Sequence, residues 1–265
     1  MTNGKARRLS RIAKDGKILC VPMDHGVSDG PINGIEDITQ IVKKVDAGGA
    51  SSVILHKGSI KALRYEPSLG IIMHMSASTS YGPTPYSKVI VSGIREAVFL
   101  GADAVSVHIN VGADSENKML KSLGAVADEC DKYGIPLIAM MYVRGENVKD
   151  QYDPDLIKKA VRLGGELGAD IVKAPYTGNI DTFSEVVRGS HVPVAIAGGP
   201  KLSNIEDVFR MAKDAMKAGA VGVTFGRNIF QDPRPDAVVR SLAKIIFDGS
   251  SIDNALRIYN EEGNS

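Results

Sequence analysis

The chain has 265 residues, of which 43% are hydrophobic and 24% are charged, a balance typical of globular proteins. Its 32 basic and 31 acidic residues leave a formal charge of +1, which gives no electrostatic footprint for nucleic acid or an anionic membrane. No apolar run approaches the roughly 18 residues of a membrane span, and the two cysteines are too few for a disulfide framework. We therefore expect a cytoplasmic protein that binds neither nucleic acid nor membrane.

The N-terminus is polar and basic and lacks the apolar segment of a secretory signal. Its spacing predicts a short amphipathic helix, with Leu9, Ile12 and Ala13 turned inward and the charged side chains in solvent. Cys20 lies in an apolar strand pattern and Cys130 on a predicted helix, so both are interpreted as buried free thiols.

Short apolar runs without polar alternation recur along the chain, as expected for parallel strands covered on both faces. Eight of them have strand length: 18–23, 52–56, 70–75, 104–111, 136–142, 170–173, 192–197 and 221–225. Helical patterns lie between most of these runs, at about 35–45, 59–65, 89–100, 116–132, 154–167, 180–188 and 203–217.

A Gly-Ala pair precedes four of the strands: Gly49-Ala50, Gly101-Ala102, Gly168-Ala169 and Gly219-Ala220. Glycine commonly follows the last turn of a helix, because it reaches the left-handed conformation without a Cβ clash. Repeated helix, Gly-Ala and strand units without a break in composition predict an α/β fold, a single (β/α)₈ TIM barrel over residues 1–265, with a short N-terminal helical extension. A doubly wound sheet would need a dinucleotide-binding fingerprint after the first strand, and residues 24–28 do not supply one.

Polar or glycine-rich residues end every predicted strand. Active sites of TIM barrels lie at the C-terminal ends of the strands, so this pattern favours an enzyme over an inert scaffold. In strand order, these ends are Asp24-His25, His56-Lys57, His74, His108-Ile109-Asn110, residues 142–145, Lys173, residues 198–201 and Gly226-Arg227-Asn228.

The loops after the last two strands predict a phosphate site, which barrels of this kind often build there. Gly198-Gly199 would let backbone N–H groups approach phosphate oxygens closely, and Arg227 beside Gly226 could supply a forked positive charge. The alternative is that these glycines only make tight turns.

Lys173 lies at the inner end of the sixth predicted strand. An unpaired buried ammonium is costly, so this lysine is either functional or paired with a carboxylate such as Asp24. Desolvation would lower its pKa and free the amine to attack a carbonyl, giving a Schiff base that can act as an electron sink for making or breaking a carbon–carbon bond. Lys57 and Lys201 are rival nucleophiles.

Asp24 and Tyr142 stand at two other strand ends and could move protons at substrate hydroxyls. The alternatives are a helix cap or an ion-pair partner for Asp24, and a rim aromatic for Tyr142. His25, His56, His74 and His108 fall at consecutive strand ends, which keeps open a metal-dependent hydrolase or lyase. No His-x-His or Glu-x-x-His pair occurs, so we expect no metal and no cofactor.

The segment Val21–Ile32, reading VPMDHGVSDGPI, resembles the first-strand motif of the archaeal-type class I aldolases, the DhnA-like group. Five further segments match the family in order, and the matches run from about residue 15 to the C-terminus: 55–58, 139–145, 169–173, 197–201 and 226–230. The resemblance implies a (β/α)₈ barrel without a cofactor, assembled into a ring-shaped homo-oligomer such as a decamer. The Ser76–Ser80 stretch is poorer in glycine than the family's pattern, which leaves the acceptor substrate open.

Site roles also follow from the resemblance. It implies that Lys173 forms the Schiff base, that Asp24 accepts a proton and that Tyr142 donates one. It implies that the sugar phosphate is lined by His25, Gly26, Val27, Ser28, Val143, Arg144, Gly198, Gly199, Gly226 and Arg227.

The motifs around Asp24 and Tyr142 are most similar to a transaldolase branch of the family. That branch transfers a pyruvaldehyde-derived unit from 6-deoxy-5-ketofructose 1-phosphate to the amino aldehyde L-aspartate semialdehyde. The reaction begins an alternative route to dehydroquinate and the aromatic amino acids. The main alternative is a fructose-bisphosphate aldolase of the same group, which would need a second phosphate-binding region.

Overall fold

Eight parallel strands close into a barrel in the computed structural model, which describes residues 3–261. The strands of the described residues, all of them in the barrel except β4 and β5, are β1 (Ile18–Pro22), β2 (Ser52–His56), β3 (Gly70–His74), β4 (Ser76–Ala77), β5 (Val89–Ile90), β6 (Ala104–Val111), β7 (Leu137–Val143), β8 (Ile171–Pro175), β9 (Val194–Ala197) and β10 (Gly222–Thr224). Around the barrel they follow the order β1-β2-β3-β6-β7-β8-β9-β10, and β10 pairs with β1. β4 and β5 form a separate antiparallel hairpin.

Helices lie between the strands and follow the last one, as in a TIM barrel. They are α1 (Asn3–Ile12), α2 (Gly26–Asp29), α3 (Ile38–Ala47), α4 (Lys57–Ala62), α5 (Ile94–Phe99), α6 (Glu116–Tyr133), α7 (Pro154–Glu166), α8 (Ile180–Arg188), α9 (Ile205–Lys217), α10 (Arg227–Phe230), α11 (Pro235–Asp248) and α12 (Ile252–Glu261). Within residues 3–261, none of them is both long and apolar enough to cross a bilayer. The predicted (β/α)₈ barrel and its eight strands are confirmed.

The predicted helix over 89–100 is wrong in its first half. Val89 and Ile90 pair with Ala77 and Ser76 as β5, and α5 begins only at Ile94. The β-branched residues at 89–91 favour an extended backbone, and the hairpin offers them a partner strand that periodicity alone does not reveal. The chain-terminal helices α11 and α12 and the short α2 and α10 were not predicted.

The repeated Gly-Ala pairs mark the turns from helix to strand, as predicted. All four glycines have positive φ: Gly49 (92°), Gly101 (73°), Gly168 (95°) and Gly219 (97°). A residue with a Cβ would be strained in this conformation, so the chain uses glycine to reverse from each of these helices into the next strand.

Two apolar layers follow from the alternation of side chains along each strand. On β8, Ile171 belongs to the cluster inside the barrel, whereas Val172 packs between the barrel and its helices. Lys173 is the next residue on the inner face of β8. Cys20 lies in the inner cluster and Cys130 in the outer one, and both are buried free thiols, as predicted.

Helix α1 closes the N-terminal end of the barrel. Its last residue, Ile12, is fully buried and joins the cluster inside the barrel. Gly70, the first residue of β3, lies beneath it, and a Cβ at this glycine would stand 2.6 Å from the Arg11 carbonyl oxygen. The inward placement of Ile12 was predicted from the helical spacing.

One charged residue of α1 is not in solvent, contrary to the prediction for this helix. Lys5 is only 4% exposed, and its Nζ lies 2.8 Å from Asp170 and 2.6 Å from Asp131. Asp170 also accepts a hydrogen bond from the backbone N–H of Leu137 at the start of β7. Burial alone would lower the pKa of Lys5, but the two carboxylates outweigh it and raise that pKa. The ion pairs therefore attach α1 to the barrel.

Replacing Lys5 should destabilise the fold, because Asp170 would keep its buried carboxylate without a cation. We expect Lys5→Met to lower the free energy of unfolding by about 2–4 kcal/mol, measured by urea denaturation. Arg7→Met, on the exposed side of the same helix, is the control and should change it by less than about 0.5 kcal/mol. Equal effects of the two substitutions would contradict the role of Lys5.

Candidate active site

A cavity of about 660 Å³ opens at the C-terminal ends of the barrel strands. Most of the residues predicted for the site line it together: Asp24, His25, Ser28, Tyr142, Arg144, Lys173, Gly198, Gly199, Gly226 and Arg227. Gly26, Val27 and Val143 do not line it. Gly26 and Val27 are exposed on α2, and the Val143 side chain packs outside the barrel in the outer apolar layer.

Lys173 provides a buried amine at the bottom of this cavity. The residue is 5% exposed and sits on β8 opposite Met140 of β7, whose sulfur lies 4.0 Å from Nζ. Within residues 3–261, no carboxylate lies within 4.0 Å of this Nζ, so the alternative of an ion pair with Asp24 is not what the structure shows. The amine is therefore available to a ligand.

Asp24 follows β1 directly and faces His74 and His25. Its Oδ2 lies 3.7 Å from His74 Nε2, and its Oδ1 lies 3.9 Å from His25 Nδ1. Burial opposes ionisation of this carboxyl group, but the charges of His74 and His25, which are protonated only in the acid range where Asp24 itself titrates, and the charge of Lys173 outweigh burial and lower its pKa below the ordinary value. Asp24 is therefore a carboxylate at neutral pH and can accept a proton.

The histidines at the strand ends form a largely neutral wall. Burial lowers the pKa of His74 to about 4, and it also lowers the pKa values of His25, His56 and His108. His74 Nδ1 lies 2.8 Å from the Ser106 hydroxyl, which fixes its ring beside Asp24. These rings can therefore offer hydrogen bonds without adding positive charge at neutral pH.

Tyr142 ends β7 between two other side chains. The Arg144 guanidinium stacks on its ring, with 4.3 Å between the guanidinium carbon and the ring centroid. The His108 ring lies on a neighbouring strand, with 4.8 Å between the ring centroids. These contacts fix the phenol ring and leave Tyr142 as a hydroxyl donor on the wall of the cavity.

Two glycine-containing loops, residues 198–199 and 226–227, lie together on the wall of the cavity, and we call this surface the Arg227 cradle. A Cβ at Gly226 would stand 2.8 Å from the Pro22 carbonyl oxygen, and Gly199 has φ of +65°. Arg227 donates from Nη2 to the Gly199 carbonyl, but its Nε is buried without a hydrogen-bond partner within residues 3–261. His25 Nδ1 is unpaired in the same way. The unpaired Nε–H of Arg227 suits an anion in the cavity.

Several cavity residues escaped the sequence analysis. The segment between β3 and α5 folds over the mouth, and Ser28 Oγ donates a hydrogen bond to the carbonyl of Ser78 in that segment. Lys88 precedes β5 and reaches the cavity, where its Nζ lies 2.5 Å from the Ser78 hydroxyl. Asp29 and Tyr152 also line the opening. The sequence did not indicate a role for Lys88, because this residue lies well beyond the end of β3 and directly precedes the segment predicted as a helix over 89–100.

The rival lysines lie elsewhere. Lys57 pairs with Glu96 at 3.2 Å and does not line the cavity, and Lys201 bonds the Gln231 carbonyl outside it. Within the described residues, no three His, Cys, Asp or Glu side chains converge as a metal site would need. The cavity therefore combines a buried amine, a carboxylate, a phenol and an anion cradle, groups that suit attack of an amine on a phosphorylated ketone.

Comparisons with known proteins agree with this geometry. An Archaeoglobus fulgidus protein named 2-amino-3,7-dideoxy-D-threo-hept-6-ulosonate synthase 1 is 40% identical over 263 residues, which cover 98% of this chain and 96% of the relative. A Streptomyces griseus protein named 2-amino-4,5-dihydroxy-6-oxo-7-(phosphonooxy)heptanoate synthase is 38% identical over 237 residues, which cover 89% of this chain and 86% of that relative.

A solved archaeal fructose-1,6-bisphosphate aldolase, described with its catalytic lysine covalently bound to the carbinolamine intermediate of its substrate, superimposes with a TM-score of 0.87 at 30% identity. The superposition covers 92% of this chain and all of that one. The family model described as DeoC/LacD family aldolase matches residues 18–232. The chain therefore belongs to the DeoC/LacD family of aldolases.

Proposed function

We propose that this protein is a Schiff-base transaldolase that acts as a 2-amino-3,7-dideoxy-D-threo-hept-6-ulosonate synthase. It would take a three-carbon unit from 6-deoxy-5-ketofructose 1-phosphate and join it to L-aspartate semialdehyde. The observation that carries this proposal is the buried Lys173 amine, which has no carboxylate partner within residues 3–261 and opens into a cavity that Asp24 and Tyr142 also line.

The names of the two synthase relatives support the acceptor. Both describe a seven-carbon 2-amino acid with a ketone at C6. Such a product divides into a four-carbon amino aldehyde, C1 to C4, and a three-carbon ketone unit, C5 to C7. The new bond joins C4 to C5, next to the C6 ketone at which a lysine Schiff base would form. Aspartate semialdehyde is the amino aldehyde that satisfies this division.

The chemistry follows from the groups in the cavity. Lys173 Nζ attacks the donor ketone beside the methyl group, and loss of water gives an iminium ion. The carbon–carbon bond between the two hydroxyl-bearing carbons then breaks, and its electrons pass into the iminium to give an enamine. Asp24 accepts the proton of the hydroxyl that becomes the leaving aldehyde.

The second half of the reaction reverses this sequence with a different aldehyde. The enamine carbon attacks the aldehyde carbon of aspartate semialdehyde, and Tyr142 donates the proton that the new alkoxide takes up. The proton that Asp24 accepted in the first half returns to the Tyr142 phenolate through solvent in the cavity, which restores both residues. Water then hydrolyses the iminium and releases both the product ketone and the free Lys173 amine. Proton transfer by these two residues rests on their place on the cavity wall.

The Arg227 cradle favours a second candidate donor, a ketone with a phosphate on the adjacent carbon. The product name of the Streptomyces relative retains such a phosphate at C7. Dihydroxyacetone phosphate would supply that unit, and it is also the ketone half of fructose 1,6-bisphosphate. Fructose-bisphosphate cleavage is therefore the alternative activity for the same lysine and cradle.

A product assay distinguishes these activities. We expect the protein to form an unphosphorylated seven-carbon amino acid from 6-deoxy-5-ketofructose 1-phosphate only when aspartate semialdehyde is present, as followed by mass spectrometry. Formation of a phosphorylated product from dihydroxyacetone phosphate and aspartate semialdehyde would favour the second donor. Rapid cleavage of fructose 1,6-bisphosphate without the amino aldehyde would overturn the proposal in favour of the aldolase.

Removal of the nucleophile gives a second test. Lys173→Met should leave the circular dichroism spectrum unchanged, lower turnover at least about 10³-fold and abolish the adduct that borohydride traps with donor. Lys57→Met is the control, because Lys57 is a strand-end lysine outside the cavity, and it should keep both activity and adduct. A folded Lys173→Met protein that still turns over would assign the Schiff base to another lysine.

The cradle is tested with two ketones that differ only in phosphate. In borohydride trapping, Arg227→Ala should raise the half-saturating concentration of dihydroxyacetone phosphate about tenfold or more, because a charged hydrogen-bond partner is lost. The half-saturating concentration of hydroxyacetone should stay within about twofold of wild type. An unchanged value for dihydroxyacetone phosphate would place its phosphate elsewhere in the cavity.

A further inference from the structure

Lys88 lies in the cavity and has no acidic partner within the part of the chain that the structure describes. Its side chain is half buried, and its Nζ hydrogen-bonds the Ser78 hydroxyl. The acidic side chains that line the cavity are Asp24 and Asp29, and among the described residues neither lies within 4.0 Å of Lys88 Nζ. Burial lowers the pKa of Lys88 and outweighs the more distant charges of Asp24 and Asp29, which raise it, while the charge of Arg144 lowers it further. An anion bound directly to Lys88 would therefore offset the cost of burial and the repulsion from Arg144.

The fold places Lys88 across the barrel from the Arg227 cradle. The cradle follows β9 and β10, whereas the hairpin that carries Lys88 follows β3 and bonds the end of β6 through Asn110 and the Tyr86 carbonyl. In the ring of eight strands, β3 and β6 stand opposite β9 and β10. Lys173 on β8 and Arg144 after β7 lie between these two sides. The cavity therefore offers cations on both sides of the Schiff-base lysine.

The hairpin is held firmly enough to present a charge. Ser28 Oγ donates to the Ser78 carbonyl, and Ser80 donates from Oγ to the Ser28 carbonyl, so the hairpin is attached to α2 across the opening. Asn110 donates a third hydrogen bond, 2.7 Å long, to the Tyr86 carbonyl. These bonds connect the hairpin to α2 and to the barrel strand β6, and they fix the position of the segment that carries Lys88.

We propose that Lys88, together with Arg144, binds the carboxylate of the aldehyde acceptor and so selects an anionic amino aldehyde. This inference rests on the proposed transaldolase function. An aldol exchange places the aldehyde that leaves and the aldehyde that enters at one position beside the enamine carbon. The phosphate of the leaving fragment and the carboxylate of the acceptor therefore occupy this subsite in turn. A lysine with no acidic partner among residues 3–261 suits such an exchange of anions.

The test compares Lys88→Met with Lys88→Arg, and with Lys149→Met as a control that removes a lysine outside the cavity on the exposed loop after β7. Turnover is measured at saturating donor against two acceptors, aspartate semialdehyde and the uncharged glyceraldehyde. Borohydride trapping of hydroxyacetone, which carries no anion, reports separately on whether Lys173 can form its Schiff base in each variant.

We expect Lys88→Met to raise the KM for aspartate semialdehyde about tenfold or more, with a much smaller change for glyceraldehyde. Lys88→Arg should recover most of that loss, and Lys149→Met should match wild type. Hydroxyacetone trapping in Lys88→Met should stay within about twofold of wild type. A KM for aspartate semialdehyde within about twofold of wild type, or equal losses with both acceptors, would overturn the assignment.

Failure of the proposed function is visible in the wild-type protein alone. If the wild type makes no product with aspartate semialdehyde but accepts glyceraldehyde 3-phosphate, the transaldolase proposal and the carboxylate assignment are both overturned. A loss of that phosphorylated acceptor in Lys88→Met would then assign the subsite to a phosphate. If the wild type does use aspartate semialdehyde, only the ratio between variant and wild type decides the role of Lys88.

Discussion

The site depends on one buried amine, that of Lys173, which has no charged partner among the described residues. Lys173 occupies an inner-face position of β8 where its neighbours are apolar, and Met140 is the side chain in contact with its Nζ. An ammonium in such a place is costly unless a ligand uses it, so the barrel tolerates this residue for its chemistry. The neutral histidines and the ionised Asp24 make the cavity polar, and Asp24 contacts His74 and His25 instead of forming an ion pair with Lys173.

Strand alternation explains how the barrel divides its residues between packing and chemistry. Along β7, Ile138 and Met140 fill the barrel interior while Val143 packs against the helices outside. Tyr142 shares the inner face and therefore reaches the cavity. Neighbouring residues at a strand end therefore face opposite sides of the barrel wall, and this is why Val143 does not line the cavity although Tyr142 and Arg144 do.

Much of this could be predicted from the sequence, because it depends on local signals. Apolar runs gave the eight strands, Gly-Ala pairs gave the turns with positive φ, and strand-end polarity brought Asp24, Tyr142 and Lys173 together. Contacts between distant segments could not be predicted. The helical pattern places Lys5 in solvent, but Lys5 is buried because it pairs with Asp170, which lies 165 residues further along the sequence. The hairpin that carries Lys88 depends on the pairing of β4 with β5, which the hydrophobic periodicity does not encode.

The closure of the N-terminal end of the barrel by α1 has a kinetic consequence. In the described residues, Ile12 fills the N-terminal end of the barrel, and the cavity opens at the C-terminal ends of the strands. In an exchange of two aldehydes, the first must leave through this opening before the second can enter, so the reaction should follow ping-pong kinetics. Between these two events the enamine on Lys173 is exposed to water at the same opening. The rate of aldehyde exchange therefore decides how often the enamine is lost to protonation instead of reacting with the acceptor.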